Sequence, residues 1–255
     1  MSAISLSARA GLLKPSETLS MLARAKQMRA DGIDVVALSA GEPDFPTPEH
    51  IRRAAAKAMD EGKTTYTPPP GIPELRKAAA AFMTDLCGTP YEWTQLVITN
   101  GAKQGLFNAF FCLLDPGDEV LIPAPAWVSY PAQVNICGGT PRVVAPRPDG
   151  TMDVEAVAGA MAGAKVLVLC NPSNPSGEVL GREALEQIGA AALEHGTVVL
   201  ADEVYSHLVY GDVGFCPFLR ACPDMVEQTV ALHAVSKAFS MTGWRIGWSA
   251  CPTEL

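Results

Sequence analysis

Short apolar runs alternate along this chain with longer stretches of helical spacing. Leu96-Val97-Ile98-Thr99, Glu119-Val120-Leu121-Ile122, Lys165 to Cys170 and Thr197 to Ala201 are continuous enough to predict strands buried on both faces. Weaker strand-like runs lie at Ile33 to Leu38 and around Arg142 to Ala145, and another apolar run spans Val230 to Val235. Between them, helical patterns run from Leu19 to Met28, from Pro48 to about Asp60, from Pro73 to about Leu86, and up to Leu114. Further helices are predicted over Ser129–Cys137, Asp153–Met161 and Arg182–His195. Ser16-Glu17-Thr18 offers hydroxyl caps to the first helix, and Thr47, before Pro48 and Glu49, reads as the N-cap of the next. Strands alternating with helices predict an α/β fold, a mainly parallel sheet with helices on both faces.

Polar residues collect just after the strands: Lys103, Trp127, Asn174, Asp202 and Lys237. In open α/β sheets the ligand crevice lies at the carboxyl ends of the strands, so these residues are expected at one rim. Asn100-Gly101-Ala102-Lys103-Gln104-Gly105 joins a strand to a helix, and helix N-terminal N–H groups there can hold an anion. Asp202 closes an apolar strand. It either meets a cation, such as a protonated pyridine nitrogen, or caps the next turn. Tyr205 could donate to a phenolate oxygen or simply pack, and Trp127 could stack on a flat ring or serve the core. The prolines of Asn171-Pro172-Ser173-Asn174-Pro175 can aim the Asn174 amide, or simply make a plain loop. Lys237 sits among small and hydroxyl residues, where a lysine can lose its proton and attack a carbonyl to form a Schiff base. Arg245, in Gly243-Trp244-Arg245-Ile246-Gly247, is a planar fork suited to phosphate; the alternative for both residues is a surface lysine and a surface arginine on a loop. His233, Cys170 and Cys251 are expected to be structural.

Composition narrows the field. The 255 residues are 48% hydrophobic and 18% charged, so a large core is available. A net charge of −8 disfavours nucleic acid and anionic membrane as partners. The seven cysteines include no CxxC pair and the four histidines no metal-binding spacing, which points to no metal and to a reducing, cytoplasmic setting.

Taken together, several stretches resemble the class I pyridoxal 5′-phosphate (PLP)-dependent aminotransferases, nearest to the bacterial aspartate and aspartate/prephenate branch. They are Lys14 to Thr18, Gly41-Glu42-Pro43-Asp44-Phe45-Pro46-Thr47-Pro48, Tyr66 to Arg76, Asn174-Pro175-Ser176-Gly177, Asp202-Glu203-Val204-Tyr205 and Ser236-Lys237 to Arg245. The resemblance implies a fold type I large domain over 46–255, and an N-terminal arm with part of a smaller domain over 1–45. It implies that Lys237 bonds the cofactor aldehyde and later moves a proton between Cα and C4′, and that Asp202 keeps the ring nitrogen protonated. Asn174 and Tyr205 would bond the ring oxygen, with Trp127 stacked on the ring. Ala102, Lys103, Ser236 and Arg245 would surround the phosphate, and Tyr66 would reach it from the partner of a homodimer. Gly41 would lie near the substrate carboxylate, and Ser16, Thr18 and Lys103 would favour acidic amino acids and 2-oxo acids. Ala234 stands where many relatives carry serine, removing one phosphate hydroxyl. The resemblance stops short of the family's C-terminal region and its α-carboxylate arginine, so a truncated chain is expected. Other outcomes for such a sequence are a C–S or β-lyase of the same fold, a PLP-binding module without catalysis, or an inactive fragment.

Overall fold

The computed structural model describes residues 4–13, 17–38 and 41–255, with the side chains of 17–19 excepted. Helices α1 (Ala8–Gly11), α2 (Glu17–Ala30), α3 (Glu49–Asp60) and α4 (Pro73–Cys87) precede the first strand, β1 (Leu96–Thr99). Then follow α5 (Ala102–Leu113), β2 (Glu119–Pro123), α6 (Ser129–Ile136), β3 (Thr140–Val144), α7 (Val154–Gly159) and β4 (Ala164–Cys170). The chain continues through α8 (Arg182–His195), β5 (Val198–Asp202), α9 (Phe218–Ala221), β6 (Thr229–Ala234), α10 (Val235–Ala238) and β7 (Gly247–Ala250).

The seven strands form one sheet in the order β1-β7-β6-β5-β4-β2-β3. The pairs β2–β3, β2–β4, β4–β5 and β5–β6 are parallel, whereas β7 runs antiparallel to β6 and β1. Thus β1 points the same way as β6, and the carboxyl ends of β1, β5 and β6 share a rim. The period-2 alternation of a strand explains the two layers of core. On β4, Val166 and Val168 pack into one cluster with Leu106 and Phe110 of α5 and Val134 of α6. Leu167 and Leu169 pack into the other, with Met83 of α4, Val157 of α7, Leu185 and Ile188 of α8 and Phe218 of α9. A mainly parallel sheet covered on both faces is therefore what the apolar runs encode.

Two expectations need correction, and one strand had not been expected. Residues 33–38 are not a strand: Val36 and Leu38 are exposed, and no ladder among the described residues includes them. Its apolar side chains have no second layer to pack against, and an isolated extended segment gains no ladder bonds. Thr47 does not cap α3. Pro48 is the N-cap residue without a side-chain bond, and the Thr47 hydroxyl donates instead to the Ser240 carbonyl at 2.6 Å. β7 was not foreseen, because Trp248-Ser249-Ala250 is short and the glycine before it reads as a turn. His233 is structural as expected: 2% exposed, it is stacked on Trp248 and lies edge-on to Phe82, with Nε2 3.4 Å from Glu203 Oε2.

Candidate active site

At the carboxyl rim lies a cavity of ≈ 540 Å³. Lys103, Trp127, Asn174, Asp202 and Lys237 all line it, as do Ala102, Tyr205, Ser236, Arg245 and Gly41. The crossover connections bring residues from across the sequence to one place, because each loop leaves its strand at the same edge.

Asp202 ends β5, with Cys170 of β4 and Leu232 of β6 as its register partners. It is 3% exposed, and burial pushes its carboxyl above the usual carboxylate range. Its Oδ2 accepts the Tyr130 hydroxyl at 2.7 Å, while Oδ1 has only a long 3.5 Å approach from the Val204 N–H. Among the described residues it makes no ion pair. A buried carboxylate with acceptor capacity facing a cavity is suited to a cationic N–H from a ligand.

Lys237 lies on the single turn α10, directly after β6. Its Nζ donates to the Gly41 carbonyl and stands 5.9 Å from the Tyr205 ring centroid. Burial lowers its pKa, the Glu42 carboxylate opposes that, and the Arg245 charge adds to it. A partly desolvated lysine beside another cation is primed to act as a neutral amine. Tyr205 is held up to about 12 by burial, with the Asp202 charge reinforcing it, so its hydroxyl stays protonated and available as a donor. The Asn174 amide reaches that hydroxyl at 3.4 Å.

The basic end of the cavity is built at the N-terminus of α5. Gly101, at φ 77°, is its cap, and a Cβ there would meet Arg245 Nη2 at 2.5 Å. Arg245 itself is left-handed at φ 55°, braced by Nη1 to the Thr242 carbonyl (2.9 Å) and Nη2 to the Asn100 carbonyl (3.2 Å). Ser236 is buried and lines the same cavity. The Lys103 ammonium lies 4.7 Å over the Trp127 ring, its pKa lowered by burial and then by Arg245. Two cations, a hydroxyl and a helix N-terminus make an anion site.

Not every predicted residue joins this cavity. Tyr66 is fully exposed and lines no part of it. Ser16 lies outside the described residues, and Thr18 falls in α2 with its side chain undescribed. Conversely, Tyr130, Glu42 and Thr242 line the cavity without having been singled out. Tyr130 had a findable signal: it sits three residues after Trp127, and the two rings meet edge-on at 5.5 Å. Glu42 and Thr242 had none, since only tertiary folding brings positions 200 apart together.

Fold and cavity together suit a small ligand that is anionic at one end and carries a cationic N–H at the other, beside a lysine amine. The chain belongs to the class I and II aminotransferase family, which matches residues 33–255. It is 43% identical over 254 residues to an aspartate aminotransferase of Streptomyces avermitilis, covering 98% of this chain and 62% of the relative. An aspartate/prephenate aminotransferase of Thermus thermophilus is 44% identical over 253 residues, with coverage of 98% and 65%. The structure of Thermus thermophilus aspartate aminotransferase with maleate superposes at a TM-score of 0.93 and 43% identity, across 98% of this chain and 65% of that one. The chain thus spans a little under two thirds of the length of the relatives it matches.

Proposed function

We propose that this chain forms the PLP-binding core of an aminotransferase that moves an amino group between an acidic amino acid, aspartate or glutamate, and a 2-oxo acid. The observation that carries this is the placement of the Lys237 amine and the Asp202 carboxylate on one cavity, with Arg245 at its basic end. The residues fit the cofactor. A ring N–H⁺ would supply the cation that buried Asp202 lacks, and a phosphate would meet the start of α5, Ser236 and Arg245. Tyr205 and Asn174 present donors suited to a phenolate oxygen, and Trp127 offers a flat face. When bound, PLP supplies an aldehyde and a ring that accepts the electrons left at Cα.

The protein's part is positioning and proton handling. With PLP in place, the Lys237 amine would hold the aldehyde until a substrate amine replaced it. It then holds the proton removed from Cα for delivery at C4′. Asp202 would hold the ring N–H⁺ and, ionised against it, keep that nitrogen charged. Gly41 borders the same cavity near Lys237, where a substrate carboxylate would lie. Lys103 adds positive charge for a second carboxylate, the basis for preferring acidic substrates, together with the hydroxyls of Ser16 and Thr18.

Residues 46–255 are the large domain in this proposal, and residues 1–45 an arm with part of a smaller one. Tyr66, exposed on its own chain, would serve the site of a partner in a homodimer. A cytoplasmic setting accords with the seven cysteines, all of them free. No described helix is long and apolar enough to cross a membrane.

PLP added to the purified chain should give visible imine absorbance, and borohydride followed by peptide mapping should place the label on Lys237. Label on another lysine refutes the assignment. Product analysis separates the chemistries: a new amino acid marks a transferase, whereas ammonia and pyruvate from a β-substituted amino acid mark a lyase. Amino-donor profiling without a preference for dicarboxylic substrates removes the acidic-substrate claim.

A further inference from the structure

The cavity mouth carries a contact that cofactor binding alone does not require. Residues 41–47 lie across the loop that follows Lys237, joined to it at four points. The Lys237 amine donates to the Gly41 carbonyl. The Thr242 hydroxyl donates to Glu42 Oε1 at 2.5 Å. The Thr47 hydroxyl donates to the Ser240 carbonyl at 2.6 Å, and Trp244 Nε1 donates to Thr47 Oγ1 at 3.1 Å. Pro43, Pro46 and Pro48 keep the segment from forming a regular element, so these cross-links are what place it. Glu42 and Thr242 both line the cavity beside the lysine.

We propose that Glu42 and Thr242 form a latch that holds the Gly41–Thr47 segment over Lys237 and restricts access to its amine. The importance of guarding this amine rests on the function proposed above, in which Lys237 bonds an aldehyde; the latch itself rests on the hydrogen bonds. Its logic is steric. The Gly41 carbonyl sits directly against the amine, so a carbonyl carbon reaches that nitrogen freely only once the strap lifts or slides. The Thr242–Glu42 bond is the cross-link whose two residues both line the cavity with that amine, and a charge-assisted hydroxyl–carboxylate bond is the stronger kind. The charged groups lining the cavity with the amine are Glu42 from the strap, Arg245 from the following loop, Asp202 from the β5 exit and Lys103 from α5, with the Tyr205 ring 5.9 Å from the amine. Glu42 is thus a positioning residue with two effects. It fastens the strap, and its charge supports the ammonium form of Lys237 against burial and Arg245.

Trace acetylation with acetic anhydride across a pH series, read by peptide mass spectrometry, tests this on the protein without PLP. For each lysine it yields a labelling plateau, which reports access, and a midpoint, which reports the amine's ionisation. Glu42→Ala should raise the Lys237 plateau about threefold, equivalent to ~0.7 kcal/mol of lost restraint, and move the midpoint to lower pH. Thr242→Val, which removes the hydroxyl at nearly constant shape, should raise the plateau similarly. Thr242→Ser, which restores the donor, should behave as wild type. Asp44→Asn, on the same segment but outside the latch, should change neither quantity. An unchanged plateau in either Glu42→Ala or Thr242→Val overturns the latch, as does an equal rise in Asp44→Asn. Because no cofactor or turnover enters the measurement, failure of the latch and failure of the proposed function give separate results.

Discussion

At Asp202, stability and binding pull in opposite directions. Burial raises the carboxyl's pKa because the ionised form loses its water. The folded chain therefore keeps that proton to higher pH than the unfolded chain, whose aspartates titrate near pH ~3.9. As pH climbs through the interval between the two values, the unfolded state binds fewer protons than the folded one. Stability falls with pH there and stays lower above it. Asp202→Asn removes this loss while leaving an acceptor for the Tyr130 hydroxyl. Without PLP at pH 7 the variant should be the more stable, seen as a higher urea midpoint at unchanged slope. With PLP the order should reverse, because the amide cannot offset a ring N–H⁺. A wild type that is the more stable without cofactor would show that the buried carboxylate is already compensated from within. Tyr130→Phe acts on the same group from behind. A hydrogen bond to a charged acceptor contributes ~1.5–3 kcal/mol, so its loss should weaken PLP retention about tenfold or more in equilibrium dialysis. Removal of that donor also pushes the Asp202 carboxyl further up, so the loss should deepen as pH falls.

At the scale of elements, the anion site depends on how closely β7 approaches the start of α5. A Cβ on Gly247 would lie 2.6 Å from the Ala102 nitrogen, 2.7 Å from the Gly101 carbonyl carbon and 2.8 Å from the His233 carbonyl oxygen. All three are backbone atoms with no rotamer to escape into. Gly247→Ala should therefore destabilise the fold by ~3 kcal/mol in chemical denaturation, and weaken PLP retention by pushing the first turn of α5 away from Arg245. Gly105→Ala, whose Cβ would meet the Leu232 side chain at 2.8 Å, should cost less because a side chain can shift. This approach was invisible in the sequence, where Gly247 closes a turn and the strand after it was missed. The buried strands were legible because runs such as Val166 to Leu169 must bury both faces. The residues at the rim were legible because Lys103, Asn174, Asp202 and Lys237 each follow such a run. What the sequence hid was contact between distant segments. The Thr47 hydroxyl serves the Ser240 carbonyl rather than α3, and Glu42 meets Thr242 across the cavity mouth. Local spacing carries no record of such pairs, because the competing partner is supplied only by the fold.

At the scale of the whole molecule, the proposal makes a demand that one chain cannot meet. Tyr66 sits in the exposed loop between α3 and α4 and turns no atom toward its own cavity, yet its hydroxyl is expected at a phosphate. Both hold if two copies are related by a twofold axis, since an isologous interface exchanges the same residue in both directions. Complementation between two defective chains tests this directly. Tyr66→Phe leaves a chain with its lysine but gives its partner no hydroxyl, whereas Lys237→Ala leaves a chain without the amine that still donates Tyr66. Neither homodimer should hold PLP as a tight imine: the first for want of a phosphate contact, the second for want of the nitrogen. In a mixed dimer, the Tyr66→Phe chain keeps Lys237 and receives Tyr66 from the Lys237→Ala chain, so one of its two sites is intact. Random exchange of equal amounts makes half the dimers mixed, so roughly a quarter of all sites should regain tight imine absorbance. Recovery should follow the time course of subunit exchange and disappear when exchange is blocked by cross-linking. Absorbance that never exceeds the average of the two homodimers would place Tyr66 outside the site and remove the main reason for assigning the homodimer a role in building it.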